Sequence, residues 1–97
     1  MKVVWSFIAA GNLIENNRYI AKENPEAVRA VIKDIYEAGN RIKEFPEKGR
    51  VVPEIGKNNI KEIFCRGNRI IYKIETKRIT ILTVRHMRQN LNTKIIK

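Results

Sequence analysis

The chain has 97 residues, 43% of them hydrophobic and 31% charged, with 5 Gly and 3 Pro. This is a globular composition, large enough for one core and too small for a separate cofactor domain, so one domain over residues 1–97 is expected. Its formal charge of +10 opposes compaction by self-repulsion, which points to a polyanionic partner, while one Cys and one His exclude an internal disulfide and a Cys/His zinc cluster.

No metal or other cofactor is expected. No segment approaches the roughly 20 apolar residues of a membrane span, so the expectation is a soluble, cytoplasmic protein. The charge is uneven: residues 1–56 hold 9 Lys/Arg against 8 Asp/Glu, and residues 57–97 hold 11 against 2. The second half should therefore make a basic face.

Lys2 to Ser6, with two valines and a tryptophan, suits a first strand. Ala9, Leu13, Ile20 and Ala21 fit helical spacing between Ile8 and Lys22, although Gly11 and the pair Asn16 and Asn17 weaken it. A second helix should start at Asn24-Pro25-Glu26, because Asn caps orphan amides, Pro suits the first helical position and Glu favours the positive end of the dipole. Val28, Val31, Ile32, Ile35, Ala38, Ile42 and Phe45 then recur at three and four residues, an apolar stripe ended by Pro46 and Gly49. Trp5 and Phe45 are expected in the core.

Beyond Arg50-Val51-Val52-Pro53 and a polar stretch through Asn59, the period becomes two. Ile60–Cys65, Arg69–Ile74 and Ile79–His86 read as strands, joined by possible two-residue turns at Gly67-Asn68 and Thr76-Lys77. The expected fold is α+β: an N-terminal strand, a two-helix hairpin and a three-stranded antiparallel meander, with the helices packed on one face. Counting outward from the turns puts Ile63, Cys65, Ile70, Tyr72, Ile74, Ile79 and Ile81 on the covered face. Glu62, Phe64, Arg66, Arg69, Ile71, Lys73, Thr80, Leu82, Val84 and His86 fall on the other. In this register Arg66 opposes Arg69, and His86 is diagonal to it. Such a like-charge pair would regain its repulsion on binding an anion such as phosphate, which guanidinium forks hold through paired hydrogen bonds.

The element order, with Tyr-Ile-Ala-Lys-Glu-Asn-Pro-Glu-Ala at 19–27, Phe-Pro-Glu-Lys-Gly-Arg-Val-Val-Pro-Glu at 45–54, Asn-Arg-Ile-Ile-Tyr-Lys-Ile at 68–74 and Leu-Thr-Val-Arg-His-Met-Arg at 82–88, resembles the RelE/ParE toxin superfamily. The resemblance implies a small toxin of a type II toxin–antitoxin pair, held by a cognate antitoxin that wraps it and covers its basic site. It also implies one of two actions. RelE-like members cut messenger RNA on the ribosome without a metal; ParE-like members inhibit DNA gyrase. Arg69 matches the arginine that RelE-like nucleases set against the scissile phosphate, and His86 sits at a position where both branches carry histidine. The helix segment and Gly-Arg-Val-Val-Pro-Glu look more ParE-like.

Messenger RNA cleavage is taken first, with gyrase inhibition as the alternative. Its catalytic set would be Arg69, His86, Arg88 and Glu54: arginines for the developing charge, and His86, whose ordinary pKa lies near neutrality, as acid or base with Glu54 or Lys61 as its partner. Lys61, Arg66, Lys73 and Arg85 would hold RNA or another anion. In this reading Arg69→Ala would abolish toxicity in a folded protein. A third reading, a basic module that binds nucleic acid without catalysis, follows from charge alone, but only Phe64 among the aromatics reaches the basic face, where stacking platforms use several. Cys65, on the apolar face, is expected to be inert, and Asn90 to Lys97 could form a short helix.

Overall fold

A computed structural model describes residues 1–87 of the chain, so Arg88 and the expected helix at 90–97 lie outside the described residues. Strand β1 (Lys2–Trp5) leads into helices α1 (Phe7–Glu15), α2 (Arg18–Glu23) and α3 (Pro25–Asn40). Strands β2 (Arg50–Val51), β3 (Ile60–Cys65), β4 (Asn68–Ile74) and β5 (Arg78–His86) follow. They form one sheet in the order β1-β5-β4-β3-β2, with β1 parallel to β5 and every other pair antiparallel.

The helices begin where the capping chemistry places them. Ser6 Oγ accepts from the Ala9 amide at 2.9 Å, and Asn24 Oδ1 from the Ala27 amide at 3.1 Å, with Pro25 opening α3. The single helix expected over residues 8–22 is divided at Asn16 and Asn17, whose side chains hydrogen-bond to backbone carbonyls instead of staying in solvent. The expectation that Phe45 lies in the core is corrected: it is 68% exposed. Residues Arg41–Glu44 tighten into a 3-10 turn, and three residues per turn carry Phe45 off the apolar stripe. Trp5 packs half-buried against the core, stacked on Tyr36 at 5.4 Å and donating to Asn40 Oδ1 at 3.0 Å.

Under the helices, Ile70, Tyr72, Ile79 and Ile81 pack against Ala9, Leu13, Ile35 and Ile42, with Ile63, Cys65 and Ile74 at the margin, as the period-two spacing predicts. Tyr72 is fully buried; its hydroxyl donates to the Pro46 carbonyl at 2.6 Å and accepts from the Gly49 amide at 3.2 Å. The other side of the sheet carries a second apolar cluster, Val52, Ile60 and Ile71 with Ile55 and Leu82. Segment 52–59 folds over that side between β2 and β3, and both faces are thereby partly covered.

Two details of register differ from the expectation. The first turn is Arg66-Gly67, both at positive φ (52° and 74°), so Cys65 pairs with Asn68 and Phe64 with Arg69. A two-residue turn of this hand takes Gly readily at its second position, and the shift by two residues leaves the faces unchanged while removing Arg66 from the sheet. The second difference is a bulge in β5. Tyr72 pairs with Ile81 but Ile71 pairs with Thr83, leaving Leu82 as the extra residue. Beyond it every side chain of β5 changes face: Val84 joins the helix-side core, Arg85 comes opposite Arg69, and His86 comes opposite Asn68.

Candidate functional site

Arg69 lies at the centre of the outer face and is only 8% exposed. Its guanidinium is held by two carboxylates. Nη1 and Nη2 grip Glu54 as a fork at 2.8 and 2.9 Å, while Nε and Nη2 reach Glu62 at 2.8 and 2.6 Å. Glu62 is 1% exposed and accepts a further bond from Arg50 Nε at 2.5 Å; the Arg50 guanidinium also lies over the Phe64 ring, 5.1 Å from its centroid. Two guanidinium groups and two carboxylates therefore form one chain, Arg50–Glu62–Arg69–Glu54, whose charges balance. A buried carboxylate is tolerable only with such partners.

The electrostatics follow this geometry. The hydrogen bonds from Arg69 hold the Glu54 carboxyl below the ordinary glutamate range, and those bonds in turn raise the already high pKa of Arg69, the Glu54 contribution leading. Glu54 has its lowered value only in the folded protein. The stability it contributes is thus complete above the ordinary value near 4.5 and is lost as the pH falls through the lower, folded value. Urea midpoints measured at about pH 7 and about pH 3 should accordingly fall further for the native chain than for Glu54→Gln, which lacks the ionisable group. Equal acid losses in the two proteins would remove Glu54 from the network's energetics.

Of the expected site residues, the structure brings Glu54, Arg69 and Arg85 to one place, with Lys73 farther along the same face, opposite Ile60 and Thr80. It disperses the others. Arg66 leaves Arg69 for helix α3, where its Nε and Nη2 bind Asp34 Oδ2 at 2.8 and 2.7 Å. Lys61 pairs with Tyr72 in the ladder, which puts it on the helix-side face, and its Nζ lies 3.6 Å from Glu47. His86 is turned to the helix side by the bulge, near Gly67. Cys65 is half-buried and its thiol pKa is raised by burial, which suits an inert side chain.

The residues not singled out from sequence are Glu62 and Arg50. A signal for Glu62 existed: a glutamate inside Ile-Lys-Glu-Ile-Phe is disfavoured in a strand unless something pairs it, and it falls on Arg69's face in either register. Arg50 gave no comparable signal. Chemically, the arrangement ties segment 52–59 to the sheet. It does not present Arg69 to a phosphate, nor set His86 beside it.

A family model described as the ParE toxin of the type II toxin–antitoxin system parDE matches residues 3–91. Among solved structures, the chain is similar to one titled "Chromosomal ParDE TA system from P. aeruginosa", with a TM-score of 0.73 and 19% sequence identity over 89% of this chain and 95% of that one. Comparison with curated protein sequences finds no match.

Proposed function

Because the chain belongs to the ParE toxin family of type II toxin–antitoxin systems, we propose that it arrests growth by poisoning DNA gyrase in the cytoplasm and that a cognate antitoxin restrains it. The observation that carries this choice over messenger RNA cleavage is the double engagement of Arg69 by Glu54 and Glu62. A ribonuclease needs preorganised cations aimed at the charge that develops on the phosphate, and a general acid or base within hydrogen-bond reach of the reacting atoms. Here the guanidinium is committed to two carboxylates, and His86 belongs to the opposite face. In this reading the surplus positive charge of residues 57–97 serves the antitoxin, whose acidic side chains it attracts and orients.

Purified toxin should inhibit supercoiling by gyrase or leave cleaved plasmid in the presence of gyrase, and equimolar antitoxin should abolish the effect. After induction in cells, primer extension should find messages without new ends. New cleavage ends on translated messages, with gyrase unaffected, would overturn this reading in favour of a nuclease.

A further inference from the structure

Strand β1 ends at Trp5, opposite Ile81, so among the described residues β5 has no strand on its outer edge from Leu82 onward. Buried edge groups of this kind need other partners, and α1 with its two cap residues supplies them. Ser6 donates from its amide to the Ile81 carbonyl at 3.0 Å and from Oγ to the Leu82 carbonyl at 2.9 Å. Asn12 Oδ1 accepts two bonds, from Thr83 Oγ1 at 2.8 Å and from the Val84 amide at 3.1 Å. Asn16 Nδ2 then donates to the Val84 carbonyl at 2.8 Å. Asn12 and Asn16 are one helical turn apart and so meet the same stretch of strand. Three polar side chains continue the ladder that β1 begins, and they do so at the bulge.

We propose that Asn12, seconded by Asn16, is the positioning residue that holds β5 in its bulged register and so decides that Arg85, rather than Val84, stands opposite Arg69 and that His86 leaves the Arg69 face. Without the bulge, the pairing of Tyr72 with Ile81 would continue as Arg69 with Val84, and the one-residue slip would return His86 to the Arg69 face. Burial of Leu82 on one face and Val84 on the other also favours the bulge. The side-chain clamp is a separate cause. It fixes Val84 by both its amide and its carbonyl, edge groups that lie past the end of β1.

The test is nuclear magnetic resonance on the full chain. In Asn12→Ala, the Val84 amide should exchange about tenfold faster, the loss expected of one buried hydrogen bond. Cross-strand contacts between Arg69 and Arg85 should weaken while contacts between Arg69 and Val84 appear. Asn12→Asp keeps the accepting oxygen and should retain the native pattern, a rescue that a residue needed only for packing would not single out. Asn16→Ala removes the milder half of the clamp and should show the same changes in smaller measure; it decides the matter if Asn12→Ala does not fold. Native Arg69–Arg85 contacts and unchanged Val84 exchange in the alanine variants would assign the register to apolar burial alone.

Discussion

Arg69→Ala should cost about 3–5 kcal/mol, the loss typical when one partner of a buried ion pair is removed. Glu62, whose side chain is fully buried, would keep only Arg50, which is itself largely exposed, and Glu54 would lose both of its bonds to the sheet. Against a total stability of about 5–15 kcal/mol for a domain of ordinary size, that is enough to unfold part of the population. A fall in the urea midpoint with little change in slope is the expected result. A midpoint equal to the native one would show that the network has no net role. The double variant Arg69→Met with Glu62→Leu removes both charges together and should recover much of the loss, since replacing a whole buried pair with apolar residues is often neutral. Loss of toxicity in Arg69→Ala alone would then report folding, and the expectation of a folded, inactive variant drawn from sequence gives way to this one.

Ile71→Ala should cost about 2–5 kcal/mol by the usual sum of lost transfer energy and residual cavity. Ile71 is fully buried in the cluster with Val52 and Ile60 under segment 52–59. The cost should be local in a telling way. Val52 and Ile55, which flank Glu54 in sequence, rest in the same cluster, so the cavity should loosen the carboxylate on Arg69 as well. Hydrogen exchange should rise at the Ile55 and Gly56 amides, both of which donate to the Val52 carbonyl, more than at amides of α3. Uniform acceleration over the whole chain would mean that the cluster unfolds only with the molecule.

Most elements are readable because each rests on a local cause: the cap at Asn24 with Pro25, the period-two isoleucines of β3 to β5, the turn at Thr76-Lys77; the two-residue strand β2 and the division of the first helix are not. The apolar face under the helices followed from alternation alone. What was not readable was set by partners distant in sequence. The bulge at Leu82 depends on Asn12 and Asn16, about 70 positions away, and both were read only for their helix propensity or not at all. One extra residue then reversed Val84, Arg85 and His86, so the part of the site inferred beyond the bulge was reflected through the sheet. The true turn at Arg66-Gly67 differs from the expected one by a single step and removed Arg66 from Arg69. Arg69 itself is placed on the correct face, and Glu62 inside its strand hints at a partner, but the fork to Glu54 is not legible, because charge counting along the sequence cannot show which charges are already paired.

Strand β1 has a consequence for the order in which the fold can be completed. Its ladder runs to β5, and Ser6 bonds Leu82 across a separation of 76 residues. Closing so long a loop is entropically slow and is rewarded only when both ends are present. On a growing chain, β1 emerges before its partner and remains an unpaired, valine-bearing strand while the helices and β2 to β4 are made, an exposed edge of the kind that invites wrong pairing. The Asn12 and Asn16 clamp waits for the same late strand. The chain therefore acquires its finished surface only once β5 has joined β1, and any partner that reads that surface meets it after that closure.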